Sequence, residues 1–338
     1  MLINSYTEFQ PLQEIVVGKA YPGEYFDYIT DPEIRNHMMQ VFDETEEDFQ
    51  HLIQMLKGFG VTVIRPTIVS KEQFQKQAQQ GHFSYPPITP RDHAITLGNT
   101  LFKNSASTMY NSVMDHYEKA GGHVMDPHNR AWNSGHIMSN SSASCILRLG
   151  RDIFFDQSEW LTRAQSQWIE QHVLPESEYR IHYMDTDGHS DAVFCIPKPG
   201  VILTTHHDKN MDYNADFPDW QVYRIEPVRN EIIQERVEHG IDWWAPGRDD
   251  SEKFKNYVDT YLNTWLGNIH ETVFDVNVLV VDESNVIFSH YNKDLFDFCQ
   301  KHGINCHVSE LRHRYFWDGG IHCCTLDIRR AGGAESYL

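Results

Sequence analysis

Two adjacent cysteines near the C-terminus follow a glycine-containing segment. Residues 319–330 read GGIHCCTLDIRR, so two glycines and His322 precede Cys323 and Cys324. Glycine frees the backbone, and a neighbouring histidine or a substrate cation can stabilise a thiolate, which is the nucleophilic form of cysteine. The segment therefore indicates a candidate nucleophile. The alternative is that both cysteines are packing residues of a buried strand.

Two acidic segments could supply proton transfer and cation binding. Residues 185–191 read DTDGHSD, and on an extended chain His189 and Asp191 point to the same face, so one group can move protons while the other holds a cation. Residues 90–93 read PRDH and place Asp92 directly before a predicted strand. The alternatives are a solvated turn for the first segment and a capping or ion-paired aspartate for the second.

The elements that position these segments are predicted from turn signals between β-rich runs. A long helix is predicted from an Asp31 cap and Pro32 to a stop at Gly58. Four hairpins are predicted, and their strands are 94–97 with 100–102, 145–149 with 153–155, 192–196 with 201–204, and 277–281 with 286–289.

Helix ends followed by glycine and a short strand recur at 57–64, 119–124 and 301–308. The repeated unit is therefore hairpin, helix, strand. Its recurrence favours an α/β repeat architecture that closes on itself rather than an open parallel sheet. No low-complexity linker divides the chain, so we expect one domain over residues 1–338.

Composition excludes several classes of function. The 338 residues include 28 Lys+Arg and 48 Asp+Glu, a formal charge of −20, which argues against nucleic acid or an anionic membrane as a partner. No secretory signal is visible in the opening residues MLINSYTEFQ, and no apolar run approaches the length of a membrane span. The six cysteines are irregularly spaced, which is typical of reduced thiols. We therefore expect a cytoplasmic protein.

Cofactor and metal sites are not predicted. Neither a G-x-G-x-x-G after a strand nor a G-x-x-x-x-G-K-[ST] occurs, which removes the main support for a nucleotide fold. The chain has 20 histidines, but no H-E-x-x-H or paired C-x-x-C accompanies them. We therefore expect no cofactor and no metal.

Five ordered blocks of this sequence resemble the amidinotransferase family, the glycine and inosamine amidinotransferases. Residues 9–18 (FQPLQEIVVG) resemble its opening strand W-x-P-L-E-E-V-I-V-G, and 90–92 with 98–99 resemble P-R-D…G-N. The other matches are 150–154 to G-R-D-I-F, 189–192 with 199–200 to H-x-D-A…P-G, and 319–338 to G-G-F-H-C-x-T-x-D-[VI]-R-R…S-Y-L. Together the blocks run from residue 9 to residue 338.

The resemblance implies the fivefold pseudosymmetric α/β-propeller of the guanidine-modifying pentein superfamily. It also implies that Cys323 is the nucleophile, that His189 is the acid and base, and that Asp92 and Asp191 grip a guanidinium. The expected partners are a small-molecule guanidine donor and an amine acceptor, with a homodimer left open. Carboxylates presented edge-on suit a planar guanidinium, and a thiolate is the side chain most able to attack its carbon near neutral pH.

The sequence departs from the family at four places. Where the family has F-D-A-A-D, with an aspartate that orients the histidine, residues 141–145 read SSASC, which puts Ser142 at the orienting position and Cys145 at the second aspartate. The family's arginine for a substrate carboxylate falls near Asp208, and its serine pair falls on 270–271, which includes Glu271. Cys324 replaces the aromatic residue that follows the nucleophile. Acids at 208 and 271 suggest a substrate without that carboxylate, or with a second amine, in that subsite.

Three readings of function follow. The preferred one is an amidinotransferase that moves an amidino group from L-arginine or a related guanidine to an amine through an amidino-cysteine on Cys323. A second is a guanidine-modifying hydrolase of the same superfamily. A third is a catalytically impaired guanidine-binding homologue, because a serine hydroxyl at 142 accepts a hydrogen bond from an imidazole but does not stabilise an imidazolium as a carboxylate does.

Overall fold

The structure is a computed structural model that describes the chain except for residues 129–136, 139–140, 175–178, 187–188, 206–211, 226–234, 236–237, 239–242, 249–250 and 267–275. Its strands, in chain order, are β1 (Leu12–Val17), β2 (Thr62–Ile64), β3 (Ala94–Leu97), β4 (Thr100–Lys103), β5 (His123–Met125), β6 (Ile146–Leu149), β7 (Asp152–Asp156), β8 (Arg180–Met184), β9 (Phe194–Lys198), β10 (Val201–Thr204), β11 (Gln221–Arg224), β12 (Leu279–Asp282), β13 (Asn285–Phe288), β14 (Asn305–Val308) and β15 (Thr325–Arg330).

The α-helices of the described residues are α1 (Pro32–Gly58), α2 (Lys71–Ala78), α3 (Pro90–His93), α4 (Asn111–Lys119), α5 (Arg163–His172), α6 (Tyr213–Asp216), α7 (Glu252–Tyr261), α8 (Lys293–Lys301) and α9 (Arg314–Trp317). Short 3₁₀ turns span Gly23–Phe26, Ala143–Cys145 and Ser190–Ala192. None of the described helices is long and apolar enough to cross a membrane.

The described strands form five three-stranded sheets, each built in the same way. In four of them an antiparallel hairpin is followed by a helix and then by a third strand, which pairs in parallel with the second strand of the hairpin. The predicted hairpin-helix-strand unit is therefore confirmed. The five sheets also confirm the predicted α/β-propeller.

The remaining sheet is made from the two ends of the chain. Strand β15 pairs antiparallel with β1, with Leu12 opposite Arg330, and β1 pairs in parallel with β2. This sheet repeats the pattern of the other four with the last strand in the place of a hairpin's first strand. It closes the ring, as expected for a propeller.

Helix α1 occupies the position that the sequence predicts for it. The Asp31 carboxylate accepts a hydrogen bond from the backbone N–H of Glu33 at 2.9 Å, and Pro32 opens the helix. The helix buries Val41, Phe49 and other apolar residues against an aromatic core. It thus covers the sheet that contains the two chain ends.

Three hairpins begin later than the sequence predicts. Cys145 lies in a 3₁₀ turn before β6, Ala192 lies in another before β9, and Asn277 lies two residues before β12. Residues of these turns contact one another: the Ser190 hydroxyl donates to the Ser144 carbonyl, and the Asn277 amide donates to the Asp191 carbonyl. The starting points therefore differ because the local propensity for a strand yields to contacts made by these turns.

Candidate active site

Each sheet's first strand is preceded by a short segment that carries a candidate functional residue. Asp92 lies in α3 before β3, Ser142 lies before β6, and Asp191 lies before β9. Asn277 lies before β12, and Cys323 lies before β15. The fivefold repeat thus delivers five side chains to equivalent positions, one from each sheet.

These five segments form a closed ring of contacts. The Ser142 hydroxyl donates to Asp92 Oδ1 at 3.5 Å, and the Ser190 hydroxyl donates to the Ser144 carbonyl at 2.8 Å. The Asn277 amide donates to the Asp191 carbonyl at 3.2 Å and to Cys323 Sγ at 3.0 Å. The ring is completed by the Arg91 backbone N–H, which donates to the Cys323 carbonyl at 3.3 Å.

Cys323 is buried, with 6% of its surface exposed, and contacts two polar side chains. Its thiol donates to Asp191 Oδ2 at 3.5 Å and accepts from Asn277 at 3.0 Å. Burial raises the pKa of the Cys323 thiol well above its ordinary value; Asp191 and Asp92 raise it further, and the Asn277 hydrogen bond opposes them. In the free site Cys323 is therefore a protonated thiol, and a bound cation would favour its ionisation.

His189 and Ser142 both lie close to Asp92. The distance from His189 Nδ1 to Asp92 Oδ1 is 3.9 Å, which is within ion-pair range but longer than a hydrogen bond. Ser142 Oγ lies 2.5 Å from Ser144 Oγ and donates to the same oxygen of Asp92. Ser142 is therefore directed at the Asp92 carboxylate.

A cleft of about 650 Å³ opens beside this group. Asp92, Ser142 and His189 line it together with aromatic side chains, which are Tyr85, Trp160, Trp265 and Trp317. Cys323 and Asp191 are not part of the cleft wall formed by the described residues; they are buried next to Asp92. An acidic, aromatic cleft of this kind suits a cation that carries apolar surface.

Asp191 is held by His322, the residue before the candidate nucleophile. His322 Nδ1 donates to Asp191 Oδ2 at 2.8 Å, while Nε2 faces Glu8 Oε2 at 3.1 Å. Asp191 Oδ1 is buried and has no hydrogen-bond partner among the described residues. The His322 ring thus contacts two carboxylates, whereas the sequence suggested that it could stabilise the thiolate directly.

Opposing effects set the pKa values of this pair. Burial acts to lower the pKa of His322, as does Arg91, but Asp191 and Glu8 raise it above its ordinary value overall. Burial acts to raise the pKa of Asp191, but the His322 hydrogen bond and charge lower it overall. Each member of the pair therefore favours the ionised form of the other.

A buried charge network lies behind Glu8. Arg148 donates to Glu8 Oε1 at 2.6 Å and to both carboxylate oxygens of Asp327 at 3.0 Å. Arg91 and Arg330 also donate to Asp327, at 2.5 and 2.8 Å. Because Asp327 belongs to β15 and Arg148 to β6, the network joins the sheet of the chain ends to the sheet of β6, which is not adjacent to it in the ring.

Asp156 is a further acid that the sequence analysis did not identify. It ends β7, is fully buried, and accepts hydrogen bonds from the backbone N–H and the hydroxyl of Thr186. Burial raises its pKa to about 6, and the hydrogen bonds from Thr186 and the charge of His189 oppose that rise. Asp156 is thus a second carboxylate in the electrostatic environment of His189.

Three further positions that the sequence analysis singled out remain, and only Cys324 lies among the described residues. Cys324 is buried in the core that contains α1, as a packing residue. Asp208 and Glu271 lie outside the described residues. Asn277 and Glu8 were missed; Asn277 stands alone before a strand and Glu8 lies far from the site in sequence, so neither carries a local signal.

Comparisons with known proteins extend over the whole chain. The inosamine-phosphate amidinotransferase 1 of Streptomyces glaucescens is 24% identical, and the match covers 99% of each chain. The mitochondrial glycine amidinotransferase of Xenopus tropicalis is 22% identical over 99% of this chain and 84% of its own length. No family model matches the chain.

Solved structures share the fold. The inosamine-phosphate amidinotransferase from Streptomyces griseus superposes with a TM-score of 0.69 at 21% identity, covering 99% of both chains. The dimethylarginine dimethylaminohydrolase from Pseudomonas aeruginosa gives a TM-score of 0.53 at 11% identity, covering 94% of this chain and 99% of its own. The resemblance to the amidinotransferase family that the sequence motifs indicate is thus confirmed over the whole chain.

Proposed function

We propose that the protein is an amidinotransferase that moves an amidino group from L-arginine, or a related guanidine, to an amine. The named relatives are amidinotransferases, and they support the predicted enzyme class, a transferase. Within this proposal Cys323 is the nucleophile, His189 is the acid and base, and Asp92 and Asp191 bind the guanidinium. Ser142 contributes through its hydrogen bond to Asp92.

The observation that carries the proposal is a thiol–carboxylate pair close to an imidazole–carboxylate pair, near enough that Asp92 acts on the charge of Cys323 and His189 on that of Asp191. Asp191 contacts Cys323 at 3.5 Å, and Asp92 lies 3.9 Å from His189. A guanidinium held between two carboxylates offers its planar carbon to a neighbouring thiolate. Its positive charge also offsets the effect of Asp92 and Asp191 on the Cys323 pKa, so donor binding itself favours the thiolate.

The first half-reaction forms a carbon–sulfur bond. The Cys323 thiolate attacks the guanidinium carbon, and the electron pair of the breaking carbon–nitrogen bond leaves with the departing amine. His189 takes up the proton that the Cys323 thiol loses on ionising and supplies it to this amine. Ornithine is released when arginine is the donor, and an amidino-cysteine stays on the enzyme.

The second half-reaction reverses these roles. His189 takes a proton from the incoming amine, whose lone pair attacks the amidino carbon. The carbon–sulfur bond breaks, and the electron pair returns to Cys323 as a thiolate. The product is the guanidine of the acceptor amine.

Trapping of the covalent intermediate tests this function. The protein is incubated with arginine and a panel of guanidines, quenched in acid and analysed by peptide-resolved mass spectrometry. The expected result is an amidino group on Cys323 and its loss when a competent amine is added. The Cys323→Ala variant is the control, and equal labelling of that variant would contradict the proposal.

The small products separate transfer from hydrolysis. Ornithine without citrulline or ammonia supports transfer, whereas a ureido product with ammonia supports a hydrolase that shares the fold. A specific observation favours keeping the impaired homologue as a further candidate, namely the serine at position 142. Reversible guanidine binding without any adduct would support that candidate.

The acids at 208 and 271 bear on the chemistry of the substrate. They stand where the family holds a substrate carboxylate, and they suggest a substrate without that carboxylate, or with a second amine, in that subsite. A single domain over 1–338, a cytoplasmic location and a homodimer stay predictions.

A further inference from the structure

Both nitrogens of the His322 ring face a carboxylate. Nδ1 lies 2.8 Å from Asp191 Oδ2, and Nε2 lies 3.1 Å from Glu8 Oε2. A neutral imidazole carries one N–H, so one of these two contacts would then bring a nitrogen lone pair against a carboxylate oxygen. An imidazolium carries two N–H groups and satisfies both contacts. With Glu8 and Asp191 both ionised, the geometry therefore selects the charged ring, and the Arg148 guanidinium bound to Glu8 favours the ionised form of that carboxylate.

Glu8 fixes the far side of that ring. Its Oε1 accepts from Arg148 at 2.6 and 3.1 Å, so Oε2 is the oxygen left to face His322. Arg148 itself is fully buried and is anchored by Asp327 and by the carbonyl of Thr96. Glu8 thus occupies a rigid position.

The two oxygens of the Asp191 carboxylate have different surroundings. Oδ2 is shared by His322 and by the Cys323 thiol at 3.5 Å, whereas Oδ1 has no partner among the described residues. The side chain is 7% exposed, so an unpaired oxygen at this place is costly unless a ligand completes it. Oδ1 is the oxygen that a donor guanidinium would meet.

We propose that His322 is a positioning residue, an imidazolium held by Glu8 that keeps the Asp191 carboxylate ionised and turns its Oδ1 toward the guanidine donor. This inference rests on the proposed function for the identity of the ligand. Its physical basis is that a buried carboxylate beside a developing thiolate would otherwise take up a proton and lose its attraction for a cation. Glu8 acts on the donor indirectly, through His322 and Asp191.

A histidine titration by NMR tests the charge of the ring without any ligand. The wild-type protein is labelled in its imidazoles, and the His322 signal is assigned from its absence in His322→Gln. The groups that face this ring are Glu8, Asp191 and Arg91, with Cys323 next to it in the chain. We expect the signal to stay that of an imidazolium well above pH 6.5, and titration at or below that value would overturn the inference.

Equilibrium binding of arginine tests the effect on the donor. The measurement uses Cys323→Ala, which binds without reacting, and compares it with Cys323→Ala carrying Glu8→Gln. Loss of a charge-assisted contact predicts binding weaker by about 10- to 100-fold, with the acid limb of the pH profile moved to higher pH. Glu8→Asp keeps the charge and is expected to retain most of the affinity.

Glu14→Gln is the matched control. Glu14 is a partly buried carboxylate on β1 that pairs with Arg329 at 3.0 Å and does not contact His322. Its variant is expected to bind arginine within about twofold of the parent. A folded Glu8→Gln variant with unchanged affinity and pH profile would overturn the inference, and the NMR titration decides the matter if Glu8→Gln does not fold.

The two experiments separate failure of the proposed function from failure of the inference about His322. If the Cys323→Ala parent binds no guanidine, the proposed function fails, while the charge of His322 is still decided by the titration. If the parent binds arginine and Glu8→Gln binds equally well, the function stands and the role of His322 is wrong.

Discussion

Asn277 contacts Cys323 through both ends of its carboxamide. Its Nδ2 donates to Sγ at 3.0 Å, and its Oδ1 accepts from the Cys323 backbone N–H at 3.1 Å. The second contact fixes the amide orientation, so the first always presents an N–H to the sulfur. Asn277 is therefore a donor aimed at the place where negative charge develops when the thiol ionises.

Asn277→Ala is expected to slow formation of the Cys323 adduct by about tenfold, because a hydrogen bond to a charged group is lost. The check is the rate of alkylation of Cys323 by iodoacetamide as a function of pH, resolved by peptide mass spectrometry. The pH midpoint should move upward relative to the wild type. An unchanged midpoint would show that Asn277 does not stabilise the thiolate.

Gly320→Ala is expected to reproduce the Asn277→Ala result. A Cβ at residue 320 would lie 2.4 Å from Asn277 Oδ1 and 2.7 Å from Asn277 Cβ, so the whole side chain must move. Gly333→Ala is the matched control, since nothing lies within 4 Å of the added atom. The control should keep wild-type alkylation, and a Gly320→Ala variant that also keeps it would contradict the packing argument.

Ser142→Asp is expected to reduce the rate of adduct formation at least about tenfold. The Ser142 hydroxyl lies 3.5 Å from Asp92 Oδ1, so an aspartate there brings two carboxylates together and one of them takes up a proton. Ser142→Asn introduces a side chain that is nearly isosteric with aspartate but uncharged. The comparison between the two variants therefore isolates the effect of the charge on the rate. A large gain in rate with aspartate alone would instead mean that His189 lacks a carboxylate.

Alkylation of Cys323 in the free wild-type protein is expected to be slow at neutral pH and to rise steadily above pH 9. Burial and the charges of Asp191 and Asp92 raise the pKa of this thiol, so the reactive thiolate appears only at high pH. Asp92→Asn removes one of these charges and should move the profile downward. Cys306, whose pKa is lowered by its hydrogen bond with Cys299, serves as the internal comparison.

Asp327→Asn is expected to lower the free energy of unfolding by about 3–5 kcal/mol at neutral pH, because buried guanidinium groups lose their counter-charge. Burial acts to raise the pKa of Asp327, but Arg148, Arg91 and Arg330 hold it well below its ordinary value. A carboxylate with a depressed pKa stabilises the fold above its unfolded pKa of about 4, and the stabilisation is lost as pH falls through the folded pKa.

The difference between wild type and Asp327→Asn should therefore be largest near neutral pH and shrink in acid. Urea unfolding measured at several pH values checks this. Asp297→Asn, at an exposed pair with Lys293, should leave the midpoint unchanged. A difference that is the same at every pH would mean that the charge of Asp327 is not the cause.

Local signals in the sequence predicted the repeated unit. Three of the four hairpins carry glycine turns and the fourth turns at 282–285, which read DESN, while α1 carries both its Asp31 cap and its Gly58 end. These elements are therefore specified by residues close to one another. The pairing of β1 with β15 has no such signal, because Leu12 and Arg330 lie near opposite ends of the chain. The strand starts near 145, 192 and 277 were displaced for a different reason, since residues of these turns make contacts between sheets, Ser190 with Ser144 and Asn277 with Asp191.

The candidate site was predictable only where a motif carried it. Cys323, His189, Asp92 and Asp191 stand in motifs, and the structure brings them together. The contact of His322 with Glu8 joins two residues that no spacing rule connects. Asn277 is an isolated amide whose importance comes from the close approach that Gly320 allows. These relationships are properties of the closed ring.

The sheet made from both chain ends has a consequence for the order of folding. Four sheets use continuous stretches of chain, 94–125, 146–184, 194–224 and 279–308, and can pair locally, whereas β15 must find β1 across nearly the whole chain. Closing so long a loop is the slowest kind of contact to form. Glu8 precedes β1, and His322 and Cys323 precede β15. Protection of Cys323 from alkylation at neutral pH would therefore appear last during refolding, so the loss of its reactivity would report closure of the ring.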